Sequence, residues 1–304
     1  MIKAPRRLLL NDEGSSAVHY LDLDAPGRSW TFSGPGRDLQ LIGDNRVLRS
    51  TPNGFVELEL LGGRLVREVV TGGLVGIESA QRLASGNTLV LANVEGGILL
   101  AELDGQGKPL EHRRLVGAGL LKGRLVRQTA EGTFLFCSDS DGKRLIHEAD
   151  WQTGVKTLFQ IPDDVPADSM LKALRIAPDR IAVSTGYAAS LVIVDTACGK
   201  VVQTIGGKAQ PEPKGLRRLL SPNFFSGYQI LPGGEILIAN WQGHGPSHAA
   251  DGYQVLMYSA QGELVWTFDQ TEYPHMTSLN NVIALDGLDT SRLHDERRGV
   301  LAGI

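Results

Sequence analysis

One unit recurs along this chain and leaves little choice of fold: two short strands joined by a tight turn that carries a glycine. It occurs six times, as HYLDLDAPGRSWTF, VELELLGGRLVREV, LLAELDGQGKPLEHRRL, HEADWQTGVKTLFQI, LVIVDTACGKVVQTI and VLMYSAQGELVWTF. The turn glycines are Gly27, Gly63, Gly107, Gly154, Gly199 and Gly262. Most of their spacings lie near the roughly 40–50 residues of one propeller blade. Glycine suits such turns because a tight hairpin needs a residue at positive φ.

A further strand precedes each pair: RLLLND, RVLRST, TLVLAN, TFLFCS, RIAVST and EILIAN. Their fifth position is small or short (Asn11, Ser50, Ala92, Cys137, Ser184, Ala239). Their sixth is polar (Asp12, Thr51, Asn93, Ser138, Thr185, Asn240). Upstream again lie DLQLIG, SAQRLA, RLVRQTA, KALRIA and SGYQIL. Each unit is then four antiparallel strands, A to D, and the first unit lacks strand A. SLNNVIAL, residues 278–285, supplies it from the far end. A ring closed by strands from both ends removes the exposed sheet edge. The expected fold is all-β: a six-bladed β-propeller over residues 1–288, followed by a C-terminal tail, 289–304. The alternative, a many-stranded β-sandwich, explains neither the regular spacing nor the missing strand.

Composition narrows the function classes. A net charge of -4 gives no basic field for nucleic acid. No apolar run approaches the roughly 20 residues of a membrane-spanning helix. Two cysteines, Cys137 and Cys198, exclude a disulfide framework and leave the compartment open. Met1–Leu10 has an apolar part too short for a signal sequence and is expected to hold the first strand. There is no Gly-x-Ser-x-Gly, P-loop or dinucleotide fingerprint.

In a propeller the B–C and D–A connections share one face. The insertions fall there: loops 206–223, 241–252 and 269–277 crowd one sector. Long loops on a rigid scaffold are where binding concentrates. They carry His244, His248, Asp251 and His275. Imidazoles with a carboxylate are the composition of a metal site, with His244, His248 and Asp251 as ligands. The same histidines, His244, His248 and His275, are the candidates for acid–base or nucleophilic chemistry. Otherwise they bond loop backbone or face water. Asn93, Ser138, Thr185 and Asn240 are expected as a polar rim, with Tyr187 and Trp241 beside it to stack on a flat ligand. Strand A lines the central channel, and one column of it reads Gln40, Arg82, Arg127, Arg175, Gln229. Three arginines at one height need neutralising, by Glu78 or Glu131 or by a bound carboxylate, sulfate or phosphate. Asp24, Asp104, Asp150 and Asp195 read as turn residues.

The stretches Gly86–Val90 (GNTLV), Leu103–Lys108 (LDGQGK), Val194–Lys200 (VDTACGK) and Ser259–Trp266 (SAQGELVW) resemble the blades of PQQ-like and arylsulfotransferase-like bacterial β-propellers. The resemblance implies the propeller fold, a bacterial source and a lean towards export if a leader has been removed; otherwise the cytoplasm is expected. Quinoprotein dehydrogenases have eight blades with a regular Trp pattern. This chain has about six and four Trp, so PQQ is not expected and no other cofactor is indicated. Arylsulfotransferases use a histidine nucleophile with His, Asn and Arg nearby. His244 or His275, Asn240 and Arg82, Arg127 or Arg175 are of those types. The leading expectation is a propeller that binds a small polar or anionic ligand on the inserted face. The alternatives are a histidine-dependent transferase, lyase or hydrolase at that face, and a scaffold for a protein partner.

Overall fold

Strands buried on both faces read as apolar runs, and strands buried on one face alternate. Both patterns recur in every blade of the computed structural model, which describes residues 3–304. Strand B of the first blade, Arg7–Asp12, is buried from Leu8 onward, whereas strand D, Trp30–Ser33, alternates half-buried and exposed. The expected first strand therefore starts at Arg7; Met1 and Ile2 lie outside the described residues.

Six sheets of four antiparallel strands are arranged as a six-bladed β-propeller. The first blade runs Leu279–Ala284, Arg7–Asp12, Ala17–Asp22, Trp30–Ser33, so the closing strand comes from the far end of the chain. It pairs antiparallel with the N-terminal strand, Leu8 opposite Ala284 and Leu10 opposite Val282.

The core consists of six apolar clusters, one in each interface between blades. Alternate residues of a strand face opposite neighbours. Leu8 and Leu10 pack with Leu237, Val255 and Met257 of blade six, while Leu9 packs with Leu39, Leu41 and Val47 of blade two. Each such side chain contributes roughly 1.5–3 kcal/mol by leaving water. The interface between blades six and one is as fully apolar as the others, so the ring has no weak seam.

Local chemistry fixes the repeats. Gly63, Gly107, Gly154, Gly199 and Gly262 have φ between 68° and 89°. Gly27 differs: it lies in a 3-10 turn, Pro26–Arg28, where positive φ is not required. The acids after strand C are turn residues. Asp104 accepts from the backbone N–H of Gln106 and Lys108, Asp150 from Gln152 and Thr153, and Asp195 from Ala197 and Cys198. In blade one this work falls to Asp22 rather than Asp24.

The polar sixth column ties the strands of a blade together, as two blades show. In blade one, buried Asp12 meets His19 Nε2 at 3.3 Å and His19 Nδ1 meets Thr31 at 2.8 Å. Blade four repeats the pattern as Ser138, His147 and Thr157. The histidine and threonine are cross-strand partners in both blades. Asp12 also accepts from Thr277 and Ser278, tying the loop before the closing strand to the N-terminal strand. Burial pushes the Asp12 carboxyl up, but those hydrogen bonds outweigh it and hold it down at about 2.

Residues 289–304 are not peripheral. They fold back under the ring from the face of the A–B turns, where Asn45 and Asp44 donate to Thr290 and Ser291. A short hairpin, His294–Asp295 with Ala302–Gly303, follows, and His294, Asp295 and Glu296 are buried in the channel.

Candidate functional site

The three inserted loops gather on one face. Arg217 pairs with Glu272, Arg218 reaches the carbonyl of Gly252 at 3.3 Å, and the backbone N–H of Asn223 donates to Asn240 at 2.9 Å. Ser278 Oγ accepts from the backbone N–H of Gln242 and Gly243, pinning loop 241–252 beside the closing strand.

At the channel mouth on this face lies a cavity of about 110 Å³. Residues from all around the ring line it: Glu13, Arg37, Arg124, Leu171, Phe224 and Asn280 among them, with Tyr187, Trp241 and His244 forming a wall. The wall is aromatic. Trp241 packs edge-on to His244 at 4.8 Å, to Phe224 at 5.6 Å and to Tyr187 at 6.1 Å between ring centres.

From the wall an ion-pair chain runs around the mouth through five blades. His244 Nδ1 lies 3.7 Å from Glu13, and Arg37 lies 3.7 Å from Glu13 and 2.6 Å from Glu78. Arg124 lies 3.2 Å from the other Glu78 oxygen. Two guanidiniums and two carboxylates balance, so the mouth carries little net field. Two buried donors in the lining, Trp241 Nε1 and Asn280 Nδ2, have no partner among the described residues. A buried donor left unpaired costs about 1–3 kcal/mol.

Beneath the mouth the channel narrows to a cavity of about 20 Å³, lined by Gln40, Arg127, Lys172, Gln229, His294 and Glu296 among others. Arg127 makes two bonds to Asp38, at 2.8 and 2.6 Å, and one to Glu296 at 2.9 Å. Lys172 donates to Glu296 and to the carbonyl of Tyr228, both at 2.6 Å. Burial opposes charge on Arg127, Lys172 and Glu296. Asp38 and Glu296 nonetheless hold Arg127 protonated beyond its usual range, and Lys172 and Arg127 hold the Glu296 carboxyl low. Burial brings Lys172 down to about 8, so it stays charged at neutral pH.

The expected arginine ring does not form. Gln40, Gln81 and Gln229 each bond the strand-A backbone of the next blade: Gln40 to Arg82, Gln81 to Gln128, Gln229 to Ala284. Arg127 holds the corresponding place in blade four. Arg82 and Arg175 are each one residue beyond it, and a one-residue step turns a strand side chain to the other face. There Arg82 pairs with Glu57 at 2.7 Å and Arg175 with Glu148 at 3.0 Å. Gln40, Gln81, Arg127 and Gln229 pair with Leu48, Leu89, Leu135 and Leu237 of strand B, whereas Arg82 and Arg175 pair one step nearer the turn, with Thr88 and Ile181. Their neutralising acids are Glu57 and Glu148. Glu78 sits at the mouth, and Glu131 is exposed in the Thr129–Thr133 turn.

The other candidates separate. His248 pairs with Asp251 at 2.8 Å on the exposed surface, while His244 faces Glu13. Among the described residues no three His, Cys, Asp or Glu side chains gather in a metal-binding arrangement. His275 borders a different groove, with Tyr273, Thr31 and Trp30. Asn93 bonds Glu78 and the carbonyl of Gly123, supporting the mouth from behind. Asn240 is fully buried, bonded to Asn223, Ser221 and Tyr253. Glu13, Arg37, Arg124, Phe224 and Asn280 carried no motif; each lies just before or inside a strand A or in a short B–C turn.

No family model matches the chain, and no curated protein matches it in sequence. Solved structures do. A Bacteroides caccae protein of unknown function superposes with a TM-score of 0.70 at 17% identity, over 92% of this chain and 98% of that one. A chain of a nidogen/laminin complex gives 0.61 at 13%, over 91% and 97%. A catalytically inactive variant of virginiamycin B lyase from Staphylococcus aureus with quinupristin gives 0.56 at 10%, over 88% and 86%. These likenesses define a β-propeller. They carry no support for a PQQ-like or arylsulfotransferase-like assignment in particular.

Proposed function

We propose that the channel mouth binds a small organic ligand with a flat ring and an acceptor oxygen, a carboxylate or a carbonyl. The unpartnered donors Trp241 Nε1 and Asn280 Nδ2 carry this reading, since an acceptor oxygen would relieve both. The wall of Tyr187, Phe224 and Trp241 offers a face to a ring, and Arg37 and Arg124 favour the end that bears the oxygen. Titration calorimetry with benzoate and benzamide tests it. Arg124→Met and Asn280→Leu are expected to weaken binding at least about five-fold, roughly 1 kcal/mol, whereas His248→Ala and His275→Ala leave it unchanged. Equal binding by all four variants, or none by the unaltered protein, overturns the reading.

A second reading makes the mouth catalytic, and the Glu13–His244 pair favours it. A histidine held near a carboxylate at the edge of a ligand cavity is placed for proton transfer, and one structural neighbour is a lyase. His244→Ala separates the readings: a binding site keeps its ligand unconverted either way, a catalytic one stops converting it. The scaffold reading has less support. The large exposed apolar side chains, such as Leu61, Val70, Val116 and Leu219, are spread over loop 206–223 and several blades.

A further inference from the structure

Burying a charge is costly unless it is paired and bonded, yet four charges lie together in the channel. Arg127, Lys172, Asp38 and Glu296 are each at least nine-tenths buried. Three of them belong to the ring. Asp38, Arg127 and Lys172 stand at the start of strand A in blades two, four and five. The fourth arrives from outside the ring, on the C-terminal segment, 124 residues from Lys172 and 169 from Arg127. Without it the ring residues hold two cations against one anion.

The site is built for a carboxylate. One Glu296 oxygen accepts from Arg127 Nε at 2.9 Å and the other from Lys172 Nζ at 2.6 Å, so both oxygens are engaged by different blades. The segment that delivers it is tied to the ring at several points, and Leu301 packs in the apolar cluster with Leu39 and Leu41. Asn45 bonds Thr290, and the Gln40 amide donates to the carbonyl of His294 at 2.8 Å. Leu171 and Asn280 line the mouth while their chain neighbours Lys172 and Asn281 line the cavity below, so the carboxylate lies directly under the mouth.

We propose that Arg127 and Lys172 form a carboxylate-binding site in the channel, and that Glu296 of the C-terminal segment occupies it in cis as a resident ligand. The site takes small monocarboxylates when Glu296 is withdrawn. This stands independently of what the mouth binds.

The test uses the full chain. Glu296→Ala is expected to melt about 5 °C or more below the unaltered protein, because an uncompensated buried cation remains. Sodium formate restores the melting point in a saturable way; sodium chloride at the same ionic strength does not. The unaltered protein shows less than one-tenth of that formate response. Equal effects of formate and chloride on Glu296→Ala, or equal formate effects on both proteins, overturn the proposal. If Glu296→Ala does not fold, hydrogen exchange on the unaltered protein decides. Formate, against chloride, is expected to speed exchange of the amides in 293–303 at least about two-fold by competing for the site. Unchanged exchange overturns it.

Discussion

His147 and Asp139 lie in the same blade and respond to acid in opposite senses. Burial keeps the His147 imidazole neutral, down at about 4, between the hydroxyls of Ser138 and Thr157. Burial, with the charge of Asp168 nearby, pushes the Asp139 carboxyl up to about 6. On acidification from 6.5 to 4 the unfolded chain protonates His147 and the folded chain does not, so stability falls, by on the order of 3 kcal/mol in all. From 6 to 3.8 the folded chain protonates Asp139 first, so stability rises. The two slopes oppose each other over almost one window. Asp12 then takes over: held at about 2, it contributes stability that is present above its ordinary 3.8 and lost as pH falls towards 2. Urea unfolding across pH is expected to be nearly flat between 6 and 4 from these groups and to fall below 4. Asp139→Asn should uncover a decline that begins near 6.5, and His147→Gln a rise on acidification. Curves of identical shape would remove both assignments.

Glutamine side chains that clamp the next blade decide what strand A presents to the channel. Gln229 bonds both the N–H and the carbonyl of Ala284, at the joint between blade six and the closing strand. Gln229→Ala leaves two buried backbone groups unpaired and is expected to cost on the order of 2–4 kcal/mol in urea. Gln203→Ala, which removes an exposed amide bonded to Ala260, should cost under about 0.5 kcal/mol. These clamps also explain what the sequence concealed. Strand order, the turn acids and the closing strand were legible, because turn glycines and apolar periodicity are local signals. The channel column was not. A single step along a strand leaves no marker in sequence, and a column placed one residue too near the turn takes Arg82 for Gln81 and Arg175 for Leu174, side chains that face away from the axis. The site was half legible. Loop insertions pointed to the face that carries the mouth cavity, and Trp241, Tyr187 and His244 line it. Arg37, Arg124 and Asn280 come from five different stretches of chain with their partners, and only closure of the ring brings them together. Glu296 lies in a charged run, HDERR, which alone reads as solvated tail.

The ring as a whole has no free end, since apolar clusters fill every interface including that between blades six and one. An open solenoid of repeats can fray from a terminus; a closed one must lose two interfaces to release any blade. Unfolding is therefore expected to be a single transition. Tryptophans report on it from separate blades: Trp151 in blade four and Trp266 in blade six. Single-tryptophan variants that keep one or the other should give coincident urea midpoints, and midpoints that differ would mean that blades melt as units. The closing strand also sets a timetable for synthesis. Leu279–Ala284 is made about 270 residues after Arg7–Asp12, so at about 5–20 residues per second the earlier strand waits roughly 15 s to a minute for its partner. Until then the nascent chain displays the bare edge of Arg7–Asp12, an apolar strand that any other unpaired edge could join. A ribosome that stalls late, after five blades and before the closing strand, holds the most adhesive form of this protein that a cell would meet.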